Sequence, residues 1–313
     1  MSEYVGKKWN EARVTRDNLT CLIGKDVKPV LTIDLPARIT FETIDVFRGA
    51  LKSEEDTLEG LDYDTINPAT GPVYFNGLKP GDVLEIKIKR VHVDSPAAAI
   101  CCPDEGLLGD LIKKGKTKMF SWDTEYNVNI TDKIKIQAKP MIGVMGVAAA
   151  DKTWRTIEPG DHGGNMDTTI LAEGATLYLP VFVEGGLFST GDLHASQGDG
   201  ESWYTGIEAG GEVELEFNVR RDMKISIPFC KNSEKFASIA SDYTTDDALK
   251  KAMLNLVNFI SVDNGNGELT WDDAGFVCGT FANLEISQVV DPLKSARMSL
   301  PLSAVREMVK CPL

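Results

Sequence analysis

Glu212-Val213-Glu214-Leu215-Glu216-Phe217-Asn218-Val219 alternates polar and apolar side chains at period two, which is the pattern of a strand with one wet and one buried face. Val83-Leu84-Glu85-Ile86-Lys87-Ile88-Lys89-Arg90-Val91-His92-Val93 alternates likewise, with Leu84, Ile86 and Ile88 inward. Its register switches near Arg90, which predicts a bulge there. Residues 37 to 47, 125 to 138, 141 to 149, 175 to 183 and 223 to 229 are further strand candidates, most of them bounded by Gly, Pro or Asp turns. Pro180 has no N–H to donate, so the 175 to 183 strand is expected at an edge or a bulge. Many short strands at this density predict a mainly β (α+β) chain, a sandwich or a barrel, with few helices. The clearest helix covers residues 246 to 261. Thr244, Thr245, Asp246 and Asp247 cap its start, and Leu249, Met253, Leu256, Val257 and Ile260 form one apolar stripe expected to lie over a sheet.

The chain has 313 residues, enough to bury a large apolar core without help from metals or disulfides. It reads as one unit over residues 1 to 313, or as two tightly packed β subdomains with a weak boundary near 67 to 82. With 47 acidic and 33 basic residues the net charge is -14, which opposes nucleic-acid or anionic-membrane partners. No apolar run approaches the roughly 20 residues that span a bilayer, and Met1-Ser2-Glu3-Tyr4-Val5 lacks the regions of a secretion signal. A cytoplasmic location is the expectation. The six cysteines are scattered without a C-x-x-C and read as reduced thiols. Asp263-Asn264-Gly265-Asn266-Gly267-Glu268 places glycines where a calcium loop needs oxygen ligands, and reads as a turn.

Two of the three histidines lie in segments crowded with Gly, Asp, Asn and Gln. In Asp192-Leu193-His194 an extended backbone points both polar side chains to one side and Leu193 into the core, a spacing that suits two ligands on one metal. A divalent ion with an open position would lower the pKa of a bound water. Gln197, Asp199 and Glu201 alternate with small residues just downstream, and the plainer reading of that stretch is a solvated loop of Asp and Gly turns. His162-Gly163-Gly164-Asn165-Met166-Asp167 offers backbone N–H groups for a developing oxyanion, or a tight turn with an exposed histidine. Glu42 and Asp45 are carboxylates inside an apolar run, and need a cation, a metal or a sheet edge. His92 and Asp94 read as surface groups. No G-x-S-x-G elbow is present, and Cys230 looks like a core cysteine rather than a nucleophile.

The segments 41 to 45, 67 to 74, 81 to 84, 162 to 167, 174 to 181, 191 to 201 and 287 to 292, in that order, resemble the acetamidase/formamidase family over nearly the whole chain. The resemblance implies a β-sandwich-type fold, hydrolysis of short linear amides to a carboxylate and ammonia, a divalent metal and a homodimer or higher homo-oligomer. On that basis Asp192 and His194, with Asp45 as a third ligand, are expected to hold a zinc-like ion, calcium being the alternative. Glu201 or Asp167 is expected to shuttle the proton. His162, Asn165, Gly163 and Gly164 are expected at the oxyanion, and Gln197 and Glu42 against the substrate. The alternatives are a cyclic-amide (lactam) hydrolase of the same family and a non-catalytic small-molecule or carbohydrate-binding sandwich, for which Trp203 and Tyr204 would be the platform.

Overall fold

The structure, a computed structural model, describes residues 8–313 and is mainly β: strands make up 41% of it and three helices 13%, in line with the sequence expectation. Two nine-stranded sheets carry the fold. In the first, the strands run in the spatial order Asn10–Val14, Ala37–Thr43, Gly211–Arg220, Val83–Val93, Thr176–Pro180, Phe229–Lys231, Lys235–Asp242, Lys294–Pro301 and Asn283–Gln288. The second is built around Phe188–His194, which pairs with Met141–Gly146, Ala69–Asn76 and Glu208–Ala209.

Period-two alternation puts one face of each sheet into a shared core: Ile39, Leu84 and Leu215 of the first sheet pack with Val73, Ile142 and Leu193 of the second. Phe217, from the alternating run 212 to 219, is completely buried there. Its ring centroid lies 4.8 Å from that of Phe75, 5.1 Å from Phe188 and 6.2 Å from Phe41. The pairing of Gly211–Arg220 with Val83–Val93 shifts register between Glu214↔Arg90 and Leu215↔Ile88, so the expected bulge falls at Lys89.

The alternate residues of the far strands face the other way. Phe229 and Phe236 pack under the helices α1 (Thr245–Asn258), α2 (Trp271–Phe281) and α3 (Leu302–Met308), with Phe259 at ring-centroid distances of 4.8 and 4.7 Å. Thr244 caps α1 by accepting the Asp247 N–H. The buried face of α1 is Ala248, Ala252, Leu256 and Val257, about one position round from the expected stripe. The small alanines let the helix sit close to the sheet, and Leu249 and Met253 remain half-buried.

Four expectations change. Thr176–Pro180 is an interior strand between Val83–Val93 and Phe229–Lys231, and Pro180 is tolerated because the latter partner has stopped at Tyr178. Residues 223 to 228 form a loop whose Met223 and Ile227 are buried, so the strand begins only at Phe229. The 125 to 138 candidate is a separate hairpin, Asn127–Thr131 with Ile134–Gln137. Helix α2, closed by a Thr270–Asp273 capping box, had no counterpart in the sequence reading. Among the described residues no helix is long and apolar enough to cross a membrane.

Because Phe217 joins aromatic rings of both sheets, Phe217→Ala is expected to cost about 3–5 kcal/mol of stability in chemical denaturation. A loss under about 1 kcal/mol would mean that the sheets do not depend on this contact.

Candidate active site

Strand Phe188–His194 ends between two partners, one of which brings an acid to it: His194 lies opposite Glu208 in one pairing and opposite Met141 in the other. Leu193 packs in the core and the Asp192 and His194 side chains meet each other, as expected, although Asp192 does so from left-handed rather than extended backbone. Nε2 of His194 is 3.1 Å from Glu208 Oε2, 3.3 Å from Asp192 Oδ1 and 3.9 Å from Asp167 Oδ1, all buried. Its other nitrogen, Nδ1, is 2.7 Å from Gln197 Oε1. An amide oxygen only accepts, so Nδ1 carries the proton and Nε2 is the nitrogen turned toward the acids. Gln197 is in turn fixed by donating from Nε2 to the carbonyls of Asp167 at 2.7 Å and Ser287 at 3.2 Å.

Space for this convergence comes from glycines. A Cβ on Gly143 would collide with Asp167 Oδ1 and stand 2.9 Å from Asp192 Oδ2, and one on Gly206 would stand 2.7 Å from His194 Nδ1. Three of the acids sit on left-handed backbone, at φ 42° for Asp167, 53° for Asp192 and 45° for Glu201. Non-glycine residues adopt that region at a cost and mostly where surrounding structure holds them.

Asp167, Asp192, Glu201, Glu208 and Asp291 with His194 floor a cleft of about 250 Å³, walled by apolar residues such as Phe47, Ile66 and Ile157. Burial, then repulsion from Asp291 and Asp192, holds the Asp167 carboxyl well above its ordinary range. Burial and Asp167 do the same to Glu201, and burial and Glu201 to Asp291. Burial raises Glu208 to about 7 even though His194 opposes the shift. At His194 burial opposes the positive charge, but Glu208 and Asp192 outweigh it and raise its pKa. Acids this crowded favour a bound cation. Two sets of ligand atoms, Asp167–His194–Glu201 and Asp192–His194–Glu208, each lie within 4.8 Å of one another. Asp167 Oδ1 and Glu201 Oε2 are buried without a hydrogen-bond partner. Imidazole and carboxylate donors with open lone pairs fit a divalent metal.

Not every residue singled out in the sequence comes to this floor. Asp45 lies outside both ligand sets, because its oxygens accept the N–H groups of Phe47 at 3.0 Å and Gly49 at 2.8 Å and close a turn. Glu42 pairs with Arg13 at 2.7 Å and Arg16 at 3.7 Å away from the cleft, so a cation answers its burial. His162 is buried, stacked on Trp154 at 4.8 Å, and lines a separate cavity of about 290 Å³. Burial lowers its pKa to about 3. Gly163 and Gly164, at φ 90° and 80°, let backbone pass Met145 O and Glu158 O, where a Cβ would collide. The Gly163 N–H already donates to Gly160 O at 3.1 Å. His92 is exposed, as expected.

Asn165 does reach the cleft, where its Nδ2 donates to Asp291 Oδ2 at 2.9 Å. Asn67 Nδ2 donates to Asp192 Oδ2 at 3.1 Å. Both bonds point the amide nitrogens at carboxylates and so turn Oδ1 of each Asn away from them, buried and without a partner. Glu208, Asp291, Asn67 and Gly143 were not singled out as site residues. Asp291 and Asn67 fall inside segments that carry the family resemblance, and Glu208 in Ile207-Glu208-Ala209-Gly210 is an acid in an apolar run.

With this site on a two-sheet scaffold, the comparisons with known proteins agree. The profile of the acetamidase/formamidase family matches residues 15–152 and 136–261, and the chain belongs to that family. A crystal structure of an acetamidase from Bacillus halodurans superposes with a TM-score of 0.90 at 34% identity, covering 95% of this chain and 99% of that one. A predicted acetamidase/formamidase from Thermoanaerobacter tengcongensis gives 0.90 at 36% identity, over 96% and 99%. A formamidase from Methylophilus methylotrophus is 34% identical over 140 residues, which are 44% of this chain and only about a third (34%) of that relative.

Because the fold prefers neutral His162, the stability this group contributes is complete above its unfolded pKa of about 6.5 and is lost as pH falls toward about 3. Its imidazole NMR resonance is expected not to titrate between about pH 8 and pH 5, and a midpoint near 6.5 would refute this burial. Gly143→Ala is expected to displace Asp167 and Asp192 and to weaken divalent-metal binding at least about tenfold by titration calorimetry, with wild-type affinity as the refuting result.

Proposed function

We propose that the protein hydrolyses short linear primary amides, of the acetamide or formamide type, to a carboxylate and ammonia. The observation that carries the reading is the convergence of Asp167, Asp192, Glu201 and Glu208 on His194 in one cleft of a chain belonging to this family. Asp192, His194 and Glu208 are the residues assigned to a divalent metal, zinc by the mix of imidazole and carboxylate donors, with Asp167 and Glu201 as the second set around the same histidine. When bound, such an ion supplies Lewis acidity and a water of lowered pKa.

The chain's own groups supply the rest. A primary amide presents two N–H donors, and the unpartnered Oδ1 atoms of Asn165 and Asn67, two residues that line the cleft, are the acceptors assigned to them. That orients the carbonyl carbon over the acidic floor. Glu201 holds Oε1 on the Gly206 N–H at 3.0 Å, which leaves Oε2 free to take a proton from the attacking water. The same atom returns that proton to nitrogen as the C–N bond breaks, and ammonia leaves. Gln197 keeps the His194 ring in one tautomer and orientation. The apolar walls exclude bulk water from the acyl group. The cleft draws on residues from Val46 to Pro292, which supports taking the described chain as one functional unit.

Ammonia release from formamide, acetamide and propionamide by metal-supplemented protein tests the proposal, and no release from any of them would end it. Glu201→Gln is expected to lower kcat by about 10²–10⁴ while KM stays within a few-fold. His194→Ala is expected to lose bound metal and turnover together.

A further inference from the structure

Two of the cleft's acids stand on loops outside the strands, the Glu201 loop touching a sheet through a single bridge, Gly200↔Gln288. Asp167 follows strand Gly163–Asn165, and Glu201 lies in the turn after His194, both on left-handed backbone. A single guanidinium sits behind both loops. Arg297 belongs to strand Lys294–Pro301 of the first sheet and is buried. Its Nη1 donates to Thr168 Oγ1 at 3.0 Å and to Asp199 Oδ1 at 2.9 Å, and its Nη2 to Asp199 Oδ2 at 2.5 Å. On the other side its Nε donates to Glu285 Oε2 at 3.1 Å. Thr169 Oγ1 closes the ring by donating to Asp199 Oδ1 at 2.7 Å, and Ser287 Oγ donates to Thr168 Oγ1 at 3.0 Å.

Thr168 is the residue after Asp167, and Asp199 stands two before Glu201 with only Gly200, at φ 97°, between them. The planar fork that grips Asp199 therefore fixes both loop ends at once. Lys supplies the charge without the fork. We infer that Arg297, acting through Asp199 and Thr168, is a positioning residue that sets the separation of Asp167 and Glu201 across the cleft. Its kinetic consequence rests on the amide-hydrolase reading, whereas its consequence for loop order does not.

The test compares Arg297→Lys, Asp199→Asn and Glu285→Gln, each assayed well below its own melting temperature. Arg297→Lys and Asp199→Asn are each expected to lower kcat for acetamide about 10- to 100-fold with KM within about threefold, and the double variant to be no worse than the poorer single one. Glu285→Gln breaks the contact on the side away from the cleft, and is expected to lower the melting temperature while kcat stays within about twofold. Hydrogen exchange supplies a readout free of turnover. The amides of Gly200, Glu201 and Gly206 are expected to exchange at least about tenfold faster in Arg297→Lys and Asp199→Asn, and at the wild-type rate in Glu285→Gln. Wild-type kcat and wild-type exchange in folded Arg297→Lys would overturn the inference. If that variant does not fold, Asp199→Asn, altering a half-exposed side chain, decides the matter on the same two measurements. Should wild-type protein turn over no amide while exchange still rises as expected, the amide-hydrolase reading fails and the positioning inference stands.

Discussion

Repulsion among buried carboxylates around one imidazole is the constraint the molecule is built to contain. Asp167, Asp192, Glu201 and Glu208 are drawn together out of water beside half-buried Asp291, with His194 among them as the titrating base. Left to themselves such groups separate or take up protons. Three of the acids and the imidazole are tied by further hydrogen bonds: Asp192 by Asn67, Glu201 by the Gly206 N–H, Asp291 by Asn165, and His194 by Gln197. The ties fix position but leave individual oxygens open, which is the arrangement a cation or a polarised substrate needs.

The two-sheet core supplies the stiffness. Phe41, Phe75, Phe188 and Phe217 lock the sheets together, and the strand that carries Phe188 at one end carries Asp192 and His194 at the other. Hydrophobic packing and polar placement are thus properties of one strand. Interiors are too densely packed for either end to move far without disturbing the other.

What the sequence made legible follows the range of each signal. The strands around Phe217 and Ile86, and the bulge at Lys89, could be read because alternation is local and a register switch is visible along a single strand. Asp192 and His194 could be paired for the same reason. Glu208 could not, since its place opposite His194 is set by how two strands pair. Asp45 and Glu208 look alike as acids in apolar runs, and only the fold shows that backbone N–H groups answer the first and an imidazole meets the second. His162 drew attention through rarity and neighbouring glycines, yet those glycines serve close passage of backbone. Helix α2 escaped because Phe276 and Phe281 lie exposed on it and blur its stripe. The family resemblance supplied what periodicity could not, namely that distant segments belong to one site.

The left-handed backbone at Asp167 and Asp192 bears on how this site could decay. Among side chains, aspartate and asparagine enter that region most readily and have nearly the same shape, and one base change in the codon separates them. Either position can therefore exchange a carboxylate for an amide with torsion angle and volume almost unaltered. Glu201, at a similar torsion, has no such neighbour, since neither glutamate nor glutamine favours it. A lineage released from selection for turnover would be expected to lose its charges first at 167 and 192 and to keep its architecture, leaving a sound sandwich around a silent cleft.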